Sequence, residues 1–274
     1  MEDGSIQHEV NTVRIMKCRI CDNESTEQFS ALVLEKHRVR YFLCKTCFFL
    51  QTEEPSWMEE AYRLPINTSD TGMVVRSIFF SKIVTALICL ELKKDGTFLD
   101  YGGGYGLFTR LMRDIGFDYY WSDPFTPNLF AKGFELDSRH GEIELITCFE
   151  TFEHFTDPMR EIRSMMKFSS NIFLSTETLP IPVPSPSEWY YYAPEHGQHV
   201  SFYSSRTFHL IAGQLGLNYQ TNGSDLHFLT KKKISAAGFR FILRYGKFLY
   251  LALKKQMKSR TASDSILTAK THGF

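Results

Sequence analysis

The 274 residues are 43% hydrophobic and 23% charged, and 24 Phe, 13 Tyr and three Trp give too much apolar surface for a disordered chain. No run of 18 uncharged apolar residues occurs, and Met1-Glu-Asp-Gly-Ser-Ile has no secretion-signal pattern; a spanning helix is not expected, and the setting is read as cytoplasmic and reducing. The formal charge of zero divides unevenly: residues 1–230 carry 20 basic and 30 acidic side chains, whereas 231–260 carry ten basic residues and no acid, which argues against a body that grips a phosphate backbone.

Four regions are expected in chain order: 1–55, 56–95, 96–230 and 231–274. The first holds Cys18-Arg-Ile-Cys21 and Cys44-Lys-Thr-Cys47, two C-x2-C knuckles 22 residues apart, around short strands at Phe29-Ser-Ala-Leu-Val-Leu and Val39-Arg-Tyr-Phe-Leu. Four thiolates in two turns suit a closed, tetrahedral, structural zinc site, with Cys18, Cys21, Cys44 and Cys47 as ligands. A redox pair or buried free thiols are the competing readings; Cys89 and Cys148, inside apolar runs, are core residues. The second region places Val74, Val75, Ile78, Phe79, Ile83, Leu87 and Leu90 at helical spacing.

In the third region, strands at 97–100, 118–122, 145–149 and 171–176 alternate with helices at 106–115, 155–166 and 204–215, and a pair of strands closes it near Lys231. This alternation implies an α/β domain with a parallel sheet covered on both faces. The fourth region centres on a basic, aromatic helix at 238–258. It could lie on an anionic membrane surface, at the inner face of the membrane, or pack on the acidic body or a second copy.

The most specific motif is Phe98-Leu-Asp-Tyr-Gly-Gly-Gly-Tyr-Gly, a strand running into a glycine turn and then a helix. Glycine lets the backbone turn and a ligand approach closely, and the helix N-terminus behind it offers unpaired N–H groups. A dinucleotide fingerprint would need glycine where Leu107 stands. Asp100 ends the strand instead, where a carboxylate suits an amino-bearing ligand better than a pyrophosphate.

The pattern Asp100-x-Gly102-x-Gly104-x-Gly106 resembles the first motif of class I S-adenosylmethionine-dependent methyltransferases. The resemblance implies a doubly wound, Rossmann-like, seven-stranded sheet with S-adenosylmethionine as cofactor. Asp100, Tyr101, Gly102, Gly103, Gly104 and Gly106 would lie at its methionine end. Asp123, 23 residues after Asp100, would take the ribose hydroxyls or serve as a helix cap, and backbone at Phe149 and Glu150 would line the same ligand. Glu153 and His154, a recurring pair in that loop, are read mainly as structural.

A zinc ribbon ahead of such a core resembles the zinc-binding sugar C-methyltransferases, and also ribosomal RNA methyltransferases with an N-terminal zinc finger. The acidic body disfavours a nucleic-acid partner. The segment Glu188 to Ser204 should overhang the methyl group, and it supplies His199, His196 and Tyr203 as candidate catalytic residues. Gln198-His199-Val-Ser-Phe-Tyr-Ser resembles a C-methyltransferase stretch whose Glu-His pair is here Gln198-His199; Glu195 could replace the missing carboxylate in space. The expected activity is methyl transfer to a small-molecule acceptor, a nucleotide-linked or lipid-linked sugar or glycan unit. An RNA methyltransferase and a non-catalytic cofactor-binding regulator are the alternatives.

Overall fold

The computed structural model describes residues 14–63, 70–138 and 141–272; the start of the expected first module and part of the helical connector lie outside them. The chain begins with β1 (Ile15–Lys17), β2 (Glu24–Val33), β3 (His37–Cys44), β4 (Leu50–Thr52) and the short α1 (Met58–Ala61). There follow α2 (Met73–Glu91), β5 (Thr97–Tyr101), α3 (Leu107–Ile115), β6 (Asp118–Ser122), β7 (Ile143–Phe149), α4 (Pro158–Met165) and β8 (Asn171–Ser175). Last come β9 (Ser201–Phe202), α5 (Ser205–Leu215), β10 (Asn218–Thr221), β11 (Leu226–Thr230), α6 (Ala236–Lys254) and α7 (Thr261–His272).

The larger sheet has the order β10-β11-β8-β7-β5-β6, with β8, β7, β5 and β6 parallel and β11 antiparallel to both β8 and β10. Successive side chains in a strand point to opposite faces, and both faces are covered. Phe98, Leu145 and Phe173 pack with α2, α3 and α6, whereas Leu99, Ile146 and Ile172 pack with Ile162 of α4 and Phe208 and Ile211 of α5. The seven-stranded expectation is corrected: among the described residues this sheet has six strands. Beyond β6 a single parallel bridge joins Trp121 to Glu135. The Glu135 carboxylate there accepts from Asn128 Nδ2 and the Gly133 N–H, which folds the segment into a turn instead of a ladder.

The second sheet, β1-β2-β3-β4-β9, is antiparallel, and its last strand comes from the far side of the larger domain. The described part of the N-terminal stretch thus shares a sheet with β9. Val39, Tyr41 and Leu50 share one core with Trp57, Trp189, Tyr192 and Phe202.

The helical connector is realised by α1 and α2. Met73–Glu91 is long and apolar enough to cross a membrane, with a mean hydropathy of 1.9, which corrects the sequence expectation on length and composition; half of it is buried in the fold. It packs closely on α6 at Gly246, where an added Cβ would meet Ala86 Cβ and Ile83 Cδ1 at 3.2 Å. The tail beyond α6 turns back as α7 onto α3.

Candidate active site

At the C-terminal end of β5 the chain enters the glycine turn. Gly102, Gly104 and Gly106 have φ of +69°, +52° and +83°, the left-handed region that explains glycine at every second position. A Cβ on Gly102 would come 2.6 Å from Thr151 Oγ1. The turn is fastened by Trp121, whose indole N–H donates to Gly104 O at 2.8 Å, and by the Gly104 N–H, which donates to Asp123 Oδ2 at 3.0 Å. Asp123 Oδ1 accepts from the N–H groups of Phe125 and Thr126. Asp123 thus caps a turn on the cavity wall.

Asp100 is buried at the floor of the turn, where the hydroxyls of Thr109 and Thr147 donate to its carboxylate at 3.1 and 3.2 Å. No ion pair to it occurs among the described residues, and burial pushes its carboxyl up to about 7. An ammonium group would supply the missing charge.

The turn opens on a cavity of about 760 Å³, within the size range of small-molecule sites. Its wall includes Asp100, Tyr101, Gly102, Gly103, Gly104, Asp123, Phe149 and Glu150 from the expected cofactor set; Gly106 instead caps α3 behind it. The Tyr101 hydroxyl donates to Glu161, and the Phe149 ring stacks on Phe80 at 4.3 Å. Glu150 stands in the left-handed region with φ +49° and accepts from the Ser175 hydroxyl.

Over this cavity lie Glu153 and His154, in a tight turn after β7, and the segment leading into β9. Backbone bonds clamp that segment to the N-terminal sheet and to the turn: Leu34 N–H to Pro194 O, Thr52 N–H to Val200 O, and Val200 N–H to Glu153 O. The Trp57 indole donates to Gly197 O. Glu153 is fully buried, neither of its carboxylate oxygens has a hydrogen-bond partner among the described residues, and burial beside Glu150 raises its carboxyl to about 8. Burial holds His154 down to about 3 and His199 well below the usual histidine range, so both imidazoles are neutral. His199 Nδ1 lies 2.6 Å from Tyr191 O, and the Tyr62 hydroxyl lies 2.8 Å from His154 Nδ1.

Of the expected catalytic residues, His199 and His196 line the cavity with rings 4.8 Å apart. Tyr203 does not. Its ring is buried between Phe49, Phe152 and Phe208 and its hydroxyl donates to Phe152 O, so its expected place at the site is corrected to the core. Gln198 lines the cavity wall, with Nε2 donating to Ala61 O at 2.9 Å. Tyr62 belongs to no sequence motif, and Glu153 and His154, mainly structural from the sequence, both line the cavity.

The four expected cysteines come together. Sγ–Sγ distances are 3.5 Å for Cys18–Cys47 and Cys21–Cys44 and 3.6 Å for Cys21–Cys47, close to the roughly 3.8 Å edge of a tetrahedron with ~2.3 Å metal–sulfur bonds. Each knuckle closes the same way: Asp22 and Phe48 have φ of +58° and +57°, and their N–H groups return to Cys18 O and Cys44 O. Ser204 and Thr207, which cap α5, donate to Cys47 O and tie this cluster to the larger domain.

A doubly wound sheet, a glycine turn after its first strand and a cavity over the strand ends define a domain that binds a small cofactor at the carboxyl edge of its sheet. The family model of a methyltransferase domain matches residues 78–222, more than half of the chain. The chain belongs to this family and is a class I S-adenosylmethionine-dependent methyltransferase.

Several solved structures resemble it. Magnesium protoporphyrin IX methyltransferase (ChlM) from Synechocystis PCC 6803 with bound SAH aligns at 13% identity over 64% of this chain and 95% of that one, with a TM-score of 0.41. The plantazolicin methyltransferase BpumL, in complex with a monoazolic desmethylPZN analog and SAH, aligns at 13% identity over 75% and 89%, with a TM-score of 0.47. An O-methyltransferase family protein from Burkholderia thailandensis aligns at 14% identity over 60% and 58%, with a TM-score of 0.45. No curated protein matches the chain.

Proposed function

We propose that the chain transfers the methyl group of S-adenosylmethionine to a small acceptor, a sugar or glycan unit carried on a nucleotide or a lipid. The observation that carries this reading is one cavity lined both by the glycine turn with Asp100 and by His196 and His199. S-adenosylmethionine supplies an electrophilic methyl group on a sulfonium centre. Asp100 binds its amino group, the glycine turn admits its methionine end, Asp123 offers its remaining lone pairs to the ribose hydroxyls, and Phe149 and Glu150 line its flank. Tyr62, Phe125, Tyr190 and Tyr191 present aromatic faces to the acceptor, a surface on which a sugar ring stacks. Holding acceptor and methyl in line within this space supplies most of the rate, and a neutral imidazole, His199 or His196, takes the acceptor's proton.

Zinc on Cys18, Cys21, Cys44 and Cys47 holds the N-terminal sheet and, through β9, the segment over the cavity. Membrane contact fits the same picture. One face of α2 lines the cavity with Met73, Arg76 and Phe80, while Val75, Ile78 and Phe79 are exposed, as are Phe241, Tyr245 and Phe248 of α6, and Phe79 shares a groove with Phe241 and Tyr245. Arg240 and Arg244 flank Phe79 and Phe241 in one surface groove, and exposed aromatics among bases suit an anionic membrane face. Acids outnumber the two arginines on the cavity wall, which counts against RNA. The test is calorimetric titration with S-adenosylmethionine, then methyl-transfer assays on nucleotide-linked sugars, lipid-linked sugars and RNA. No heat with the cofactor, or preferential methylation of RNA, overturns the reading.

A further inference from the structure

We propose that Glu153, His154 and His199 form a site for one divalent first-row metal cation in the cavity wall, separate from the four-cysteine cluster. One ligand atom from each of the three residues lies within 4.8 Å of the others. Ligands about 2.1 Å from a common ion stand about 3.0–3.4 Å apart in cis or tetrahedral positions, so side-chain shifts of about 1 Å or more complete the set.

Three observations point to a cation rather than to a packed polar cluster. Glu153 is fully buried, and among the described residues neither carboxylate oxygen has a partner in hydrogen-bond geometry; the neighbouring Tyr191 and Thr176 hydroxyls lie 3.2 Å from each other. A buried carboxylate is otherwise paired, hydrogen-bonded or bound to metal, and an orphaned one calls for an absent ligand. His199 donates Nδ1–H to Tyr191 O, which fixes the tautomer and leaves the Nε2 lone pair free, the arrangement by which metal-ligating histidines are oriented. His154 Nδ1 lies 2.8 Å from the Tyr62 hydroxyl, which can accept Nδ1–H and so leave Nε2 for a metal as well. The backbone bond from Val200 N–H to Glu153 O, 2.8 Å, locks the two ligand-bearing segments together.

Two imidazoles and a carboxylate suit a borderline first-row ion and leave positions open toward the cavity. There the cation would hold a hydroxyl or carbonyl oxygen of the acceptor, a role that rests on the function proposed above; cation binding itself does not. With His199 engaged, His196 is the imidazole left to receive the acceptor's proton.

The probe is Mn2+, added to protein whose cysteine site is filled with zinc, since manganese favours oxygen and nitrogen over thiolate ligands. Free Mn2+ is followed by electron paramagnetic resonance. One Mn2+ per chain is expected, with affinity weakened about tenfold or more by Glu153→Gln and by His199→Gln. If Glu153→Gln does not fold, His154→Gln and His199→Gln, at half-buried positions, carry the comparison. S-adenosylmethionine titration of every variant reports whether the cavity is intact. Wild-type protein that binds S-adenosylmethionine but leaves Mn2+ free at about 1 mM overturns the cation site and leaves the methyltransferase reading standing. Folded variants that bind Mn2+ as tightly as the wild type overturn it as well.

Discussion

Asp264 of α7 holds Arg113 of α3 in a two-pronged ion pair, Nε to Oδ2 at 2.7 Å and Nη2 to Oδ1 at 2.9 Å, with the two side chains 2% and 1% exposed. Arg113 also donates to Tyr119 O and lies 3.6 Å over the Phe134 ring. The end of the chain is therefore a clasp on the cofactor domain. Asp264→Ala removes both prongs and leaves the buried guanidinium only its Nη1 bonds to Asp118 Oδ1 and Tyr119 O; it is expected to lower stability by about 2–3 kcal/mol, read from urea unfolding. A change below about 1 kcal/mol would show that the clasp is not closed in solution.

Membrane contact is for this reason better tested by surface substitution than by truncation, because removing the tail also removes Asp264. Phe241→Asp with Phe248→Asp, both at exposed positions, should cut flotation with anionic vesicles by about tenfold or more while leaving the melting temperature unchanged. Equal flotation of variant and wild type rejects the contact.

Cofactor binding should depend on pH through Asp100. Its carboxyl, raised to about 7, must lose its proton before it can pair with an ammonium group. Affinity for S-adenosylmethionine should therefore rise about tenfold per pH unit up to about 7 and then level off. The free protein shows the opposite sign. A folded-state value above the ordinary 3.8 means that the native state keeps this proton longer, so Asp100's contribution to stability falls as pH climbs toward about 7. Calorimetry across that range checks both, and an affinity independent of pH would remove Asp100 from the site.

Gly102→Ala asks a left-handed backbone to accept a side chain whose Cβ would meet Thr151 Oγ1 at 2.6 Å. The conformational term alone is about 1–2 kcal/mol. A loss of about tenfold or more in S-adenosylmethionine affinity is expected; wild-type affinity in a folded variant contradicts the placement of the cofactor.

Zinc removal should be felt in the cavity, although the cysteines lie in the other sheet. β4 pairs with β9, and the Cys47 carbonyl takes the caps of α5. Cys44→Ser is expected to lose stoichiometric zinc, lower the melting temperature by about 5 °C or more and raise protease cutting between 185 and 199. A metal-free protein of unchanged stability would show that the four thiols pack without an ion.

How much of this could be read from the residues differs from one feature to the next. The glycine turn, the cysteine knuckles and the strand–helix alternation are local: a positive φ needs glycine where it occurs, a knuckle needs two thiols three positions apart, and a buried strand needs an apolar run. The sequence by itself therefore determined the strand–helix order around the glycine turn and the gathering of the four cysteines. Which distant groups meet was decided only by tertiary structure, because it depends on how layers stack rather than on spacing. Tyr62 reaches His154, the segment after Pro194 joins the N-terminal sheet, Tyr203 turns into the core, and Asp264 finds Arg113. The six-strand count among the described residues has the same origin: the side chain of Glu135 is engaged in a local turn, a choice that apolar periodicity does not record.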